Sequence, residues 1–309
     1  NLKNNDELLV GATSSWNYQQ GAMAEWIDSE RVIYNDFKDG SLSAFIFNVK
    51  TKSKKEIKRF PVQTMLIGRD SYISLNYNRL TKLRPDYGFK KLSKLHKKLT
   101  IENDGLWKVN FSGDAHLFVS LEKLHYVENL ERSVNSKVNH VSSSKCGTRI
   151  LFLFRYFRKN IKISSLFLYD FSNQTLQKLM TGVISHYCWL NNQEYAVWYR
   201  TNRGGRLDIY NFLKPNDCIA SIKTSDGHPT ATEDGSIWFD SYPSLFNYQK
   251  IRRFSSDLKT LQDKITVLNR PVKNLEERCD AHPKTIGQYL VIDRYQTEQR
   301  EFSIYKNIT

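Results

Sequence analysis

Four histidines of this chain stand in similar local settings, each beside polar or small residues and just ahead of an apolar run. The four segments are Asn139-His140-Val141-Ser142, Ser185-His186-Tyr187, Asp226-Gly227-His228-Pro229 and Asp280-Ala281-His282-Pro283. They are separated by 46, 42 and 54 residues, close to the roughly 40 to 50 residues of a four-stranded propeller blade. Because equivalent positions of successive blades converge on one axis, these imidazoles are expected to meet at one mouth of a channel.

Two kinds of chemistry suit such a cluster. Neutral imidazole is a common ligand of Zn, Mn, Fe and Ni, and a histidine held off the metal can act as a general base because its usual pKa is about 6.5. The alternative is that each histidine caps a turn or bonds a backbone carbonyl. The other histidines, His96, His116 and His125, lack this setting and are expected at the surface or in an insertion.

An aromatic cluster with consecutive amides runs from Trp16 to Trp26. Trp16 is expected in the core or in the wall of the channel. Gln20 is a candidate neutral oxygen ligand for the metal, and Gln19 a candidate hydrogen-bond partner for a sugar.

A basic segment follows between residues 74 and 88, with Arg79 and Arg84 among the polar residues Asn76 and Tyr87. Arginine can grip a carboxylate with two parallel hydrogen bonds, which would orient an acidic sugar. Arg278, four residues before His282, is a further cation expected to face the channel. The alternative for the basic segment is an exposed loop.

The strands that must position these residues repeat one pattern: a polar turn, an apolar strand, a charged hairpin and a second strand that ends in an aromatic residue with Asp or Asn. Six such units begin near residues 16, 62, 140, 186, 228 and 282. We predict an all-β, six-bladed propeller that forms one domain over residues 1–309, with an insertion at about 80–104 whose best helical segment is Tyr87 to Leu99. Seven blades are expected if upstream sequence is missing, and a β-sandwich is the alternative.

The strand Glu7 to Val10 is expected to close the ring by pairing with the last blade. The four cysteines form no CxxC pair, which favours a reduced compartment. No apolar run reaches the roughly 18 to 20 residues of a membrane span. We expect a cytoplasmic protein, or a periplasmic one if an upstream signal was removed.

The chain carries a formal net charge of +14, which favours a polyanionic partner, although the lysine-rich runs can equally be solvated faces. Nucleic acid is not expected, because the sequence has no recognised nucleic-acid-binding motif. GxSxG, P-loop, HExxH and GxGxxG-helix motifs are absent, which argues against the corresponding hydrolases, nucleotide-binding proteins and zinc peptidases.

Several of these motifs together resemble a family of bacterial β-propeller proteins associated with polysaccharide biosynthesis loci. They are Trp16-Asn17-Tyr18-Gln19-Gln20-Gly21-Ala22-Met23 with Trp26, the loop from Asn76 to Gly88, the turn Ser185-His186-Tyr187, and the two segments Asp226-Gly227-His228-Pro229 and Arg278-Cys279-Asp280-Ala281-His282-Pro283. That family is distantly similar to oligogalacturonate lyase, a propeller enzyme that cleaves acidic oligosaccharides by β-elimination with a Mn-type metal. The resemblance covers nearly all of the chain from Trp16 onward.

The resemblance implies a role for each matching position. The general base falls on His140, and the metal ligands fall on His186, His228 and His282. A glutamine ligand of the lyases has no counterpart at Ser225, three residues before His228, so Gln20 or Gln19 is expected to replace it. From the chemistry of the clusters themselves, the expected substrate-binding residues are Trp16, Gln19, Asn76, Tyr87, Tyr187 and Arg278, and the expected catalytic cations are Arg79 and Arg84.

The expected function is therefore a metal-dependent lyase acting on a uronate-containing oligo- or polysaccharide, with Mn as the first candidate metal and Zn, Fe or Ni as alternatives. In that reaction the metal binds the uronate carboxylate while His140 removes the C5 proton. The alternative is a non-catalytic propeller that binds glycan or scaffolds polysaccharide biosynthesis.

Overall fold

The computed structural model describes residues 8–17, 19–68, 70–94, 100–244, 248–268, 280–296 and 299–306. Its regular secondary structure is almost entirely antiparallel strands, which confirms the all-β prediction. The chain divides into two compact units, Asn1–Phe157 and Arg158–Thr309. No helix within the described residues is long and apolar enough to cross a bilayer.

The first unit contains two four-stranded sheets and the start of a third. Their strands are β1 Glu25–Trp26, β2 Arg31–Lys38, β3 Ser41–Asn48 and β4 Lys54–Ile57; β5 Val62–Met65, β6 Ser71–Ser74, β7 Gly105–Asn110 and β8 Ala115–Ser120; and the pair β9 Ser136–Ser143 and β10 Arg149–Arg158. The β2–β3 hairpin turns on Asp39 and Gly40, both with positive φ (50° and 73°), as a tight turn matching the strand twist requires.

The second unit continues with antiparallel meanders. Its strands are β11 Ile161–Asp170, β12 Thr175–Trp189, β13 Glu194–Thr201, β14 Gly204–Asn211 and β15 Lys214–Lys223; β16 Pro229–Ala231, β17 Ile237–Phe239, β18 Tyr248–Phe254 and β19 Leu261–Leu268; and β20 Lys284–Ile286, β21 Tyr289–Gln296 and β22 Gln299–Lys306. The 15-residue strand β12 pairs with β11 through its first half and with β13 through its second half. It thereby joins β11 to the meander of β12, β13, β14 and β15.

The sheets of the second unit pack face to face because their strands alternate. Ile237 and Phe239 of β17 enter one core cluster with Trp198 of β13, whereas Trp238 between them enters a second cluster with Leu290 of β21. A strand with apolar side chains on both faces must be covered on both sides. These two cores hold neighbouring sheets of the second unit against one another.

Several predictions need correction. The helix expected over Tyr87 to Leu99 is absent from the described residues of that segment; the α-helix α1 is Tyr77–Leu83, and Pro85–Tyr87 and Lys90–Lys94 are 3₁₀ turns. A second helix, α2 Leu121–Glu128, was not predicted. His125 in α2 is buried rather than exposed, and its Nε2 lies 2.6 Å from Ser136 Oγ.

The expected closing strand is not seen where it was placed. Leu8 to Val10 form no strand, and Glu7 lies outside the described residues. The number of blades and the closure of the ring therefore stay predictions, as does the single domain over residues 1–309. Three cysteines, Cys146, Cys188 and Cys218, carry free thiols.

A buried ion pair holds the segment between β6 and β7 to the first unit. Arg79 Nε donates to Asp104 Oδ2 at 2.6 Å, and its Nη1 and Nη2 donate to the carbonyls of Ser136 and Thr100. Asn76 caps α1 through its side-chain oxygen and donates its amide to Asp104 at 2.9 Å. Helix cap, ion pair and strand β9 are thus joined in one network.

Removing Asp104 tests this network. Asp104→Ala leaves the Arg79 guanidinium buried without its counter-charge, and we expect the free energy of unfolding to fall by about 3–5 kcal/mol. Urea denaturation of the whole chain, followed by circular dichroism, measures this loss. Glu30→Ala, which breaks the exposed pair with Lys50, is the control and should change stability little; equal effects of both variants would contradict the account.

Candidate functional site

Three of the four histidines come together in the second unit. The ring centroids of His186 and His228 are 4.1 Å apart, and those of His228 and His282 are 4.3 Å apart. Each histidine lies in or just before the first strand of a meander: His186 in the second half of β12, His228 ahead of β16 and His282 ahead of β20. The packing of successive sheets is what brings residues 42 and 54 positions apart into contact.

Every histidine of this group has a carboxylate beside its Nδ1 atom. The partner of His186 is Asp226 at 3.3 Å, that of His228 is Asp240 at 3.0 Å, and that of His282 is Asp293 at 3.3 Å. A carboxylate beside Nδ1 favours the tautomer with the proton on Nδ1, which leaves the lone pair on Nε2. Histidines that bind metals are commonly supported in this way.

The strand register explains two of these pairs. In the pairing of β16 with β17, Pro229 lies opposite Phe239, so the residues just outside the ladder, His228 and Asp240, face each other. The β20–β21 ladder has the same arrangement, and Asp293 donates its backbone N–H to the carbonyl of Ala281, next to His282, at 2.7 Å. The histidine that opens the first strand is therefore held by the aspartate at the same edge of the second.

Asp240 links two of the histidine turns. Its side chain is 1% exposed and accepts hydrogen bonds from the backbone N–H and the Nδ1 of His228, and from the backbone N–H of His282 at 3.2 Å. Gly227 permits this approach, since a Cβ there would lie 2.0 Å from the carbonyl oxygen of Asp240. A larger residue at position 227 cannot be accommodated without moving the turn.

Asp280 completes a group with metal-binding geometry. Ligand atoms of His228, Asp280 and His282 lie within 4.8 Å of one another. Among the described residues, no other group of three or more histidine, cysteine, aspartate or glutamate side chains has this geometry. Asp280 is buried. Two imidazoles and a carboxylate form a donor set that suits Zn, Mn and Fe.

Electrostatics around this group favour charge at His228. Burial disfavours its imidazolium, but the charge of Asp240, its hydrogen bond and the charges of Asp280 and Asp226 outweigh burial and raise the pKa of His228 above the usual histidine value. Burial raises the pKa of Asp226, opposed by hydrogen bonds from Ser185 and from the backbone of Gly227. The carboxylates around His228 thus favour positive charge at its ring.

Tyr242 borders the histidines, and Arg252 contacts the segment that leads to them. The Tyr242 ring lies edge-on to that of His228, with centroids 5.6 Å apart. Arg252 donates from Nη2 to Thr224 Oγ1 at 3.0 Å and to Ser225 Oγ at 3.3 Å, and burial lowers its pKa against the opposing charge of Asp240. Arg252 therefore places a cation beside the segment that leads to His228.

His140 belongs to the first unit. It has a positive φ of 49° at a β-bulge where β9 pairs with β10, and bulges commonly re-aim a side chain. Its ring lies edge-on to Tyr87, with centroids 5.1 Å apart. That His140 joins the other three histidines stays a prediction.

The other predicted residues of the first unit have varied settings. Arg79 is buried in the ion pair with Asp104, so its geometry favours a structural role rather than the predicted contact with substrate. Arg84 donates to both carboxylate oxygens of Asp86, at 2.7 and 2.9 Å, and lies over the Tyr87 ring.

The amides of the first unit lie in or beside turns. The backbone N–H groups of Gln19 and Gln20 donate to Asn17 Oδ1. Trp16, just before this turn, is 55% exposed. Asn76 is the cap of α1. The proposed metal role of Gln20 and sugar role of Gln19 stay predictions.

In the second unit, Tyr187 is half-buried in β12, next to His186. Arg278 lies outside the described residues. The predicted residues that the structure brings together are therefore His186, His228 and His282.

The sequence analysis missed the carboxylates Asp226, Asp240, Asp280 and Asp293, although a signal was present. Asp226 and Asp280 each stand two residues before a histidine, and Asp240 and Asp293 follow His228 and His282 by 12 and 11 residues. The repeated spacing of Asp, His and Asp would have found them. For Tyr242 and Arg252 we find no comparable signal.

Comparison with known proteins gives fold but no family. No family model matches the chain, and no curated protein matches its sequence. Oligogalacturonate lyase in complex with manganese aligns with a TM-score of 0.60 over 91% of this chain and 74% of that chain, at 10% identity.

Two other propellers align comparably. The β-propeller domain of the Trilobed protease from Pyrococcus furiosus gives a TM-score of 0.55 over 89% of this chain and 78% of that chain, at 7% identity. TolB from Acinetobacter baumannii gives 0.50 at 13% identity over 92% of this chain, which spans 63% of the length of that protein. At such identities the similarity concerns the fold alone, and on that evidence the chain is a β-propeller.

Proposed function

We propose that this propeller binds a divalent metal through His228, Asp280 and His282 and uses it to cleave an acidic glycan by β-elimination. The observation that carries the proposal is the set of three adjoining imidazoles, each with a carboxylate beside Nδ1, next to the buried Asp280. A purely structural histidine has no need of such a set. Manganese is the first candidate because the oligogalacturonate lyase of similar fold is a manganese complex, with Zn, Fe or Ni as alternatives.

The donor set fits a metal on chemical grounds. The carboxylates beside the three Nδ1 atoms leave three Nε2 lone pairs for other partners. The buried Asp280 adds a carboxylate oxygen beside the two imidazoles of His228 and His282, and carboxylate oxygen with imidazole nitrogen is a donor set that Zn, Mn and Fe accept. A divalent ion bound there would supply Lewis-acid stabilisation of the charge that develops at a uronate carboxylate.

The remaining chemistry falls to residues of this chain. The resemblance assigns the general base to His140. The geometry offers a second candidate, His186, which stands outside the group His228–Asp280–His282 but touches its edge. The Asp226 carboxylate would hold the Nδ1 proton of His186, so that Nε2 can accept the C5 proton of the sugar. Arg252 is the cation proposed to hold a second acidic group of the substrate.

Metal analysis is the direct test of the site. We expect about one divalent ion per wild-type chain, and loss of that ion in His228→Ala because a ligand is removed. His116→Ala, outside the site, is the matched control and should keep the metal. Wild-type protein without bound metal, after dialysis against Mn²⁺ or Zn²⁺, would contradict the metal site.

Activity is tested separately on a panel of acidic oligosaccharides. A lyase forms a C4–C5 double bond in the product, so ultraviolet absorbance should rise with wild-type protein and not with His228→Ala. A metal-loaded protein that binds these glycans without any rise would instead be a glycan-binding propeller of the kind that could serve polysaccharide biosynthesis.

The role of His186 can be separated from that of a ligand. We expect His186→Ala to keep the metal but to lower kcat by about 10²–10⁴-fold, the usual contribution of a general base. The same pair of measurements on His140→Ala decides between the two candidates. Loss of the metal in His186→Ala would make it a ligand, as the resemblance implies.

Asp240 is predicted to act through the histidines. Asp240→Asn keeps the shape but removes the charge beside His228 Nδ1, and we expect metal affinity to fall by about 10–100-fold. A titration with a chelator of known affinity measures the change. Asp257→Asn, in an exposed turn after β18 of the same sheet, is the control; equal affinities in the two variants would refute the role of Asp240.

A further inference from the structure

The first unit contains a cavity of about 520 Å³ that no part of the proposed reaction uses. It lies where the β2–β3 turn, the β4–β5 link, the end of β6 and the start of β7 meet. The volume is within the range of small-molecule sites. We propose that this cavity binds a sugar acid, by residues of the first unit alone and without a metal, which goes beyond the proposed function.

One wall of the cavity is aromatic. Trp107 lies directly after a bulge between β7 and β8, opposite Ser74 of β6, and its ring centroid is 5.4 Å from that of Phe60. Trp107 and Phe60 are both only partly buried. An indole with one side open to a cavity offers an apolar face for the C–H side of a sugar ring.

The polar wall consists largely of amides. Asn76, Asn78 and Asn103 line the cavity. The side-chain oxygen of Asn78 is buried and has no hydrogen-bond partner within the described residues. An amide side chain can both donate to and accept from the hydroxyls of a ligand, which suits this wall to a polyhydroxylated molecule.

Arg59 is the charged residue among those that line the cavity. It is exposed, forms no ion pair within the described part of the chain, and has a φ of 70°, an uncommon conformation for a residue with a Cβ. Its guanidinium can hold a carboxylate through two hydrogen bonds. A uronate carries one negative charge, which a single arginine can balance. A phosphate carries up to two negative charges and is balanced less well by one cation.

The combination identifies the ligand class. An aromatic face, several amides and one arginine provide for the ring, the hydroxyls and the carboxylate of a uronic acid. A nucleotide could place its base on the aromatic face. Its phosphate, with up to two negative charges, would then face a single arginine. We therefore assign the cavity to a sugar acid, with a nucleotide as the rival outcome of the test.

Calorimetric titration with galacturonate, in the presence of EDTA, tests the assignment. We expect binding to wild type and equally to His228→Ala, and a Kd raised about tenfold in Arg59→Gln because one charge-assisted contact is lost. Lys58→Gln, which removes the neighbouring exposed charge outside the cavity, should bind like wild type. Trp107→Leu should also weaken binding, with circular dichroism to verify that it folds.

Each contrary result has a definite meaning. Absence of binding to wild type, or equal affinities of Arg59→Gln and Lys58→Gln, would overturn the proposal, as would tighter binding of uridine monophosphate than of galacturonate. The neutral methyl ester of galacturonate should bind about as weakly to wild type as galacturonate binds to Arg59→Gln. Because EDTA and His228→Ala disable only the metal site, failure here leaves the proposed lyase site untouched, and failure of that site leaves this one.

Discussion

The arrangement of the candidate site depends on one buried carboxylate. Asp240 ends the second strand of its sheet, yet it accepts hydrogen bonds from two histidine turns, those of His228 and His282. Because it is almost completely shielded from water, these bonds are stronger than they would be at the surface, and loss of any one would leave a buried charge less compensated. Gly227 is part of the same constraint, because only a residue without a side chain allows its turn to approach Asp240 so closely.

Sheet packing turns this local arrangement into a site. Ile237 and Phe239 face one neighbouring sheet and Trp238 faces the other, so β17 is fixed from both sides and Asp240 at its end has little freedom. The histidines open the first strands of their sheets, and they meet because those strands are packed side by side. The repeated strand pattern, which places one histidine in the same position of each sheet, is therefore what brings the three imidazoles together.

Much of this arrangement was predictable from sequence. The repeated pattern of strands predicted the sheets well: the expected starts near residues 62, 140, 186, 228 and 282 lie within a few residues of β5, β9, the second half of β12, β16 and β20. Convergence of His186, His228 and His282 followed from their spacing. Long apolar strands bounded by turns are the elements for which sequence patterns are most informative.

The parts that could not be predicted depend on contacts between distant residues. Arg79 looked like a cation available to substrate, but Asp104, 25 residues away, holds it in the core. Helix α1 lies ahead of the segment expected to be helical, and the Asn76 cap, rather than apolar periodicity, marks its start. The cavity beside Trp107 likewise combines residues of four separate segments, and no local pattern marks it.

The central claim is that His228, Asp280 and His282 form a metal site supported by carboxylates. Anomalous diffraction from crystals grown with Mn²⁺ tests it most directly, because it locates the ion independently of any activity. We expect an anomalous peak within bonding distance of the ligand atoms of these three residues. Crystals that contain manganese elsewhere, or none at these side chains, would contradict it.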